Sequence, residues 1–215
     1  PHRESSNLLC EADILVGFWV WPVWCPKIDK ENVMTNQTNH INKTAIITGA
    51  SRGIGAAIAK KFASCGYNLS LCCRSSSDRL KAMADELHCS YGIEVLCHTG
   101  NVGDFYFAQD MITKTISHFG HIDVLVNNAG ISHIGLLSDM TPDEWNTIVS
   151  VNLTGVFNFT KLTIPHMVAV KNGRILQISS VWGNVGASCE VACAITHSGK
   201  CHSLRCHRYR HEPML

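Results

Sequence analysis

The residues Thr48-Gly49-Ala50-Ser51-Arg52-Gly53-Ile54-Gly55 follow the apolar run Ala45-Ile46-Ile47 and lead into a helix-like run from Ala56 to Ala63. A glycine turn placed where a strand becomes a helix is suited to phosphate. The amides exposed at a helix N-terminus carry partial positive charge, and glycine leaves the main chain open to an approaching pyrophosphate. Arg52 lies inside the turn and Arg74 follows the apolar run 68–73, so two guanidinium forks stand where phosphate oxygens would arrive. Further polar groups close or follow apolar runs: Asn101-Val102-Gly103-Asp104, Asn127-Asn128-Ala129-Gly130, Asn152, and Ile178-Ser179-Ser180.

The elements that must position these groups alternate short apolar runs with amphipathic segments, the pattern of parallel strands joined by helices. Strands are predicted over 44–48, 68–73, 94–98, 124–127 and 174–179, and helices over 55–64, 77–91, 104–119, 141–151 and 153–169. Thr141-Pro142-Asp143-Glu144 carries a threonine cap, a proline at the first helical position and a glutamate placed for a capping box. The pattern predicts an α/β doubly wound parallel sheet of Rossmann type, which binds ligands beyond the carboxyl ends of its strands. Every group named above falls at such an end.

Size and composition bound the rest. A chain of 215 residues, 46% of them hydrophobic, supports one core. The net charge of +1 gives no argument for nucleic acid or an anionic membrane as partner. Eleven cysteines, with the pair Cys72-Cys73 inside a predicted buried strand, do not read as a disulfide framework and point to a reducing cytoplasm. The apolar stretch 14–24 is shorter than the roughly 20 residues a membrane span needs. Acidic Glu11 and Asp13 precede it, which is unlike a secretion signal. Met34 is read as the natural start. Residues 1–33 are then a non-native or disordered extension, 34–192 the nucleotide-binding domain, and 193–215 a separate tail.

From about residue 43 to 192 the chain resembles the classical short-chain dehydrogenase/reductase family, through the TGxxxGxG spacing of 48–55 and the NNAG of 127–130. Within it, 173–192 is similar to bacterial beta-ketoacyl-carrier-protein reductases, and also to reductases proposed to act in elongation factor P modification. The resemblance implies hydride transfer between a nicotinamide and a carbonyl carbon, on a small-molecule or carrier-bound acyl substrate. It assigns cofactor contacts to Gly49, Ser51, Arg52, Gly53, Ile54, Gly55, Asn101, Val102, Asn127, Ala129 and Gly130. NAD enzymes of this fold usually place an acidic residue at the end of the second strand, where this chain has Arg74; with Arg52, that argues for NADP(H). Asn152 and Ser180 match the family's water-holding asparagine and carbonyl-polarising serine. The expected tyrosine and its activating lysine are absent: Cys193 and His197 occupy their positions.

From Cys193 onward the sequence shows no apolar helical periodicity and no further strand, so 193–215 is expected to be an irregular tail replacing the catalytic helix, as a frameshift would produce. The sheet is accordingly read as C-terminally truncated and the chain as a catalytically impaired reductase, with a non-enzymatic nucleotide-binding remnant as the competing reading. Family members are homo-oligomers. Loss of the second interface helix predicts poor solubility here instead. Cys189, Cys193, His197, Cys201, His202, Cys206, His207 and His211 recur mostly every fourth residue and raise zinc as a rival, but not at a recognised finger spacing, and no metal is assigned.

Overall fold

The computed structural model describes residues 42–186 and 189–198 in full and 203–205 as backbone. Expectations about 1–33, the start at Met34 and the sequence from 206 lie outside the described residues. Strand β1 (Thr44–Ile47) leads to α1 (Gly53–Ser64), β2 (Asn68–Cys73), α2 (Ser77–Tyr91), β3 (Val95–Thr99), α3 (Phe105–Phe119) and β4 (Val124–Asn127). Then come α4 (Pro142–Val149), α5 (Gly155–Ala169), β5 (Arg174–Gln177), α6 (Trp182–Val185), α7 (Val191–His197) and β6 (Ser203–Arg205).

The sheet runs β3-β2-β1-β4-β5-β6, parallel except for β6, which pairs antiparallel with β5. Side chains alternate across it. Ala45, Ile47, Leu69, Leu71, Val124 and Val126 pack with Phe62, Leu80 and Leu87 of α1 and α2 on one face. Ile46, Cys72, Leu125 and Ile175 pack with Met111, Ile112, Phe159 and Met167 of α3 and α5 on the other. Both faces are thus covered, which is why the strands read as continuous apolar runs rather than as alternating ones. The chain reverses direction across the sheet between β1 and β4, and the carboxyl ends of these two strands open the crevice that this topology provides.

Two expectations are corrected. No break separates α4 from α5; a π-helical turn, Ser150–Thr154, joins them and carries Asn152. The extra residue in such a turn keeps the helix going while turning Asn152 inward, a geometry that apolar spacing does not encode. The segment from Cys193 is not irregular throughout either. Ala192, Cys193 and Thr196 form the buried face of α7, and β6 adds a further strand. Thr196 hid the helical period because it is polar; its hydroxyl donates to the Ala192 carbonyl at 2.9 Å, which makes its burial affordable. The capping box at Thr141 and Glu144 forms as expected, with Thr141 N–H donating to Glu144 Oε2 at 2.8 Å and Glu144 N–H to Thr141 Oγ1 at 3.3 Å.

One polar cluster spans three elements of the α3 face. Thr115 of α3 donates to Ser70 Oγ of β2 at 2.7 Å, and Ser70 Oγ lies 3.2 Å from His98 Nε2 of β3. Burial, reinforced by the charge of Lys114, holds the His98 pKa below its ordinary 6.5. The unfolded chain therefore takes up a proton that folded His98 resists. The His98 contribution to stability is complete above pH 6.5 and is lost as pH falls through the window below it. His98→Asn is expected to reduce the loss of urea midpoint between about pH 7.5 and about pH 5.5; an unchanged pH dependence would refute the assignment.

Candidate functional site

The glycine turn and the turn after β4 are locked together by one hydroxyl. Thr48 Oγ1, buried, accepts from the amides of Asn128 and Ala129, both at 3.0 Å. The Asn128 side chain returns the contact, its Nδ2 donating to the carbonyls of Thr48 at 2.9 Å and Gly49 at 3.2 Å. Glycine is required where these turns meet. Gly49 has φ +66°, and a methyl group there would lie 2.9 Å from Ala129 Cα. A methyl group on Gly55 would collide with the Gly49 carbonyl oxygen and Asn128 Nδ2. The turn is therefore as compact as a main chain permits, and α1 begins directly from it with no side chain capping its first amides.

The result is a cleft of about 590 Å³ at the carboxyl ends of the strands. Its lining includes Gly49, Ser51, Arg52, Gly53, Ile54 and Gly55 from the turn, Arg74 after β2, Asn101 and Val102 after β3, and Ala129 and Gly130 after β4. Eleven of the twelve residues expected to contact a cofactor are thereby brought to one cavity. The exception is Asn127. It is buried behind the cleft, where its Nδ2 donates to Thr160 Oγ1 at 3.1 Å and its carbonyl accepts from Ile178 N–H at 2.9 Å. Its place is inside the sheet because β4 ends there with its side chain turned toward α5.

Arg52 and Arg74 are exposed at the rim. Asn101 keeps its place, but its Oδ1 accepts from Gly103 N–H at 3.1 Å, so the acceptor half of its amide is used within the loop. That loop is held from beneath by Asn158 of α5, whose Nδ2 donates to the carbonyls of Val102 at 3.3 Å and Gly103 at 3.1 Å. Cys72 lies at the cleft floor with its thiol pushed up to about 12 by burial, so it remains protonated and unreactive.

At the other end of the cleft the expected catalytic residues divide. Asn152 is buried, and its carboxamide clamps the loop after Gly130: Oδ1 accepts from Ile131 N–H and Nδ2 donates to Ile131 O, both at 2.9 Å. Nδ2 also donates to Thr196 Oγ1 of α7 at 3.0 Å. Both of its amide hydrogens are thus engaged by protein groups, and its side chain clamps the loop after Gly130 to α7. Ser180, like Asn152, Cys193 and His197, is outside the cleft lining; it accepts from Trp182 N–H at 3.3 Å, while its neighbour Ser179 donates to the His197 carbonyl at 3.0 Å. Cys193 and His197 stand one turn apart on α7, with Cys193 Sγ 3.6 Å from His197 Nδ1. Among the described residues no cluster of three or more His, Cys, Asp or Glu is arranged to hold a metal ion. Of the zinc candidates, Cys201, His202, Cys206, His207 and His211 lie outside the described residues.

Sequence reasoning missed Thr48 and Asn128 as the residues that build the cleft, although both stand within the motifs it singled out. Their signal was available. A hydroxyl ending a fully buried strand needs partners, and the second asparagine of the pair at 127–128 must face opposite to the first.

The short chain dehydrogenase family model matches residues 43–199. A 3-oxoacyl-[acyl-carrier-protein] reductase, FabG, of Staphylococcus epidermidis is 39% identical over 146 residues, covering 68% of this chain and 59% of that protein. The oxidoreductase UcpA of Salmonella typhimurium is 41% identical over 145 residues, 67% of this chain and 54% of its own length. The chain thus spans little more than half the length of these relatives. Among solved structures, an alcohol dehydrogenase of Thermococcus sibiricus complexed with 5-hydroxy-NADP superposes with a TM-score of 0.68 at 34% identity, over 72% of this chain and 65% of that one. A metagenomic short-chain oxidoreductase in complex with NADP gives 0.69 at 35% identity, over 73% of this chain and 71% of that one.

Thr48→Val is expected to leave the two part-buried amides of Asn128 and Ala129 without their acceptor, at a cost of up to about 1–3 kcal/mol for each. Thr48→Ser should retain most of the stability. Urea unfolding of both variants checks this, and equal midpoints for Val and Ser would show that the hydroxyl does not hold the turns together.

Proposed function

We propose, because this chain belongs to the short chain dehydrogenase family, that it is an oxidoreductase binding NADP(H) in the cleft and reducing a carbonyl group, with a 3-oxoacyl thioester of the kind handled in fatty acid biosynthesis as its substrate class. The observation that carries the reading is the cleft itself. Two glycines whose added methyl groups would strike the opposite turn, together with the uncapped start of α1, make an anion cradle of backbone amides. The fit to a dinucleotide is supported along its length: amides of 53–55 for the pyrophosphate, the Asn101-Val102 loop for the adenine, and Gly130 toward the nicotinamide end.

Arg52 and Arg74 favour the phosphorylated cofactor. Both are exposed at the mouth of the cleft, and a guanidinium reaches a ribose phosphate with two parallel hydrogen bonds. When bound, the nicotinamide supplies or accepts a hydride. The work of this chain's residues is to hold the dinucleotide extended, to wall the reacting end with Gly130 and the Ile131 loop, and to handle the proton on the carbonyl oxygen.

Catalysis in this chain is slower than in relatives with the tyrosine and lysine. Cys193 is buried, with 5% of its surface exposed, and a thiol is shorter than a phenol. At the lysine position His197 presents a planar imidazole in place of a flexible primary ammonium. The similarity to the Staphylococcus reductase supports the substrate class, and a cytoplasmic location is suited to a chain of eleven cysteines. Among the described residues no helix is long and apolar enough to cross a membrane.

The test is titration with NADPH and NADH followed by cofactor fluorescence. Arg74→Asp is expected to weaken NADPH binding by roughly tenfold or more, since a hydrogen bond between charged groups contributes about 1.5–3 kcal/mol. NADH binding should change much less. Equal losses for the two cofactors would mean that Arg74 does not read the ribose phosphate.

A further inference from the structure

We propose that His197 is the proton-transfer residue of this site, exchanging the proton of the substrate oxygen through Nε2, and that Cys193 has no such role. The inference rests on the reductase reading above and assigns to α7 what the missing tyrosine leaves undone.

The orientation of the ring follows from one bond. His197 Nδ1 lies 2.9 Å from the carbonyl oxygen of Cys193, one turn back on the same helix. A carbonyl can only accept, so Nδ1 carries hydrogen whether the ring is neutral or charged. Nε2 is then the position at which a proton comes and goes. His197 is not itself part of the cleft lining, but its Nε2 lies behind Gly130: a methyl group added to Gly130 would lie 3.8 Å from His197 Nε2 and 3.6 Å from Asn152 Oδ1. Gly130 itself lines the cleft.

Cys193 is on the wrong side of this arrangement. Its Sγ sits 3.6 Å from Nδ1, the nitrogen turned away from Gly130, and its side chain is buried. The helix that carries both is tied at two points and the segment leading into it at a third, so the backbone that carries the ring is set by the fold. Asn152 donates to Thr196 at 3.0 Å, Ser179 donates to the His197 carbonyl at 3.0 Å, and Gly135 N–H donates to the Cys189 carbonyl at 2.8 Å. Gly183 packs directly on the His197 carbonyl, leaving no room for a side chain between α6 and α7.

In reduction, the carbonyl carbon gains a hydride from NADPH, which becomes NADP+, and the carbonyl oxygen takes the proton from Nε2 of the imidazolium. The product is the alcohol, and the neutral ring regains its proton from water. Oxidation runs the same transfers backward, from a neutral ring whose Nε2 lone pair meets the alcohol hydroxyl.

The experiment uses the full chain with His197→Ala, His197→Gln and Cys193→Ala, and acetoacetyl-coenzyme A as the carbonyl probe. Cofactor fluorescence reads NADPH affinity, and NADPH absorbance reads turnover. Affinity is expected to stay within about twofold in all three variants, while turnover falls about 10²–10⁴-fold in both His197 variants and persists in Cys193→Ala. Added imidazole should restore part of the turnover of His197→Ala, which a purely structural role would not permit. Nitrogen NMR of the ring gives a readout apart from turnover: His197 is expected with hydrogen on Nδ1, and its Nε2 resonance should move when NADP+ is added. Absence of NADPH binding by the unmodified chain would overturn the reductase reading and this inference with it. NADPH binding with no turnover in the unmodified chain, turnover that survives His197→Ala, or a loss that imidazole does not relieve would overturn the inference alone.

Discussion

Everything at the carboxyl end of this sheet depends on the bond between Thr48 and the turn that follows β4. A single hydroxyl accepts two consecutive amides, and the Asn128 side chain bonds back to the main chain of the glycine turn. The two middle strands, β1 and β4, are neighbours in the sheet, but sheet pairing alone ends at their last residues. The side-chain bonds extend the pairing past the strands and fix the distance between two loops. Gly49 and Gly55 then have a defined surface against which any side chain would clash. Without that fixed distance there would be glycines but no cradle.

A second set of bonds does for α7 what Thr48 does for the glycine turn. The π-helical turn brings Asn152 inward, and the carboxamide joins the loop after Gly130 to Thr196. The helix has only seven residues, of which Ala192, Cys193 and Thr196 are buried. Polar bonds of good geometry add to this burial, since each buried group that finds its partner avoids a desolvation cost of the order of a hydrogen bond. The helix α7 is thus anchored by polar bonds as well as by its buried face, while the turns that line the cleft are carried by a sheet packed on both faces by apolar side chains. The two tolerate substitution differently. Strand residues such as Ile46 and Leu125 admit other apolar side chains of similar volume, whereas Asn152 and Thr196 are fixed by donor and acceptor type.

Asn127 and Asn128 show how neighbouring residues in one motif separate in use. Alternation along the chain sends the first into the sheet, toward Thr160, and the second across to the glycine turn. Ser179 and Ser180 divide in the same way: the first anchors the end of α7, and the second caps the turn into α6. In both pairs the two neighbours turn their side chains to different partners.

By itself, the sequence determined the α/β alternation, the positions of the five parallel strands to within two residues and eleven of the residues that line the cleft, because apolar period and glycine spacing are local and are read directly from neighbouring residues. Arg52 and Arg74 were legible for the same reason, as exposed charges next to strand ends. Only the tertiary structure decided that Thr48 and Asn128 join the two loops, that the Asn152 side chain is a clamp within a π-helical turn, and that 191–197 is a helix. Each of these rests on hydrogen bonds between residues far apart in the chain, such as the 44 positions separating Asn152 from Thr196. A pattern of hydrophobicity carries no record of such pairs. The side of the ring that His197 turns toward Gly130 is likewise set by where the backbone of α7 comes to rest, and no spacing of residues could have stated it.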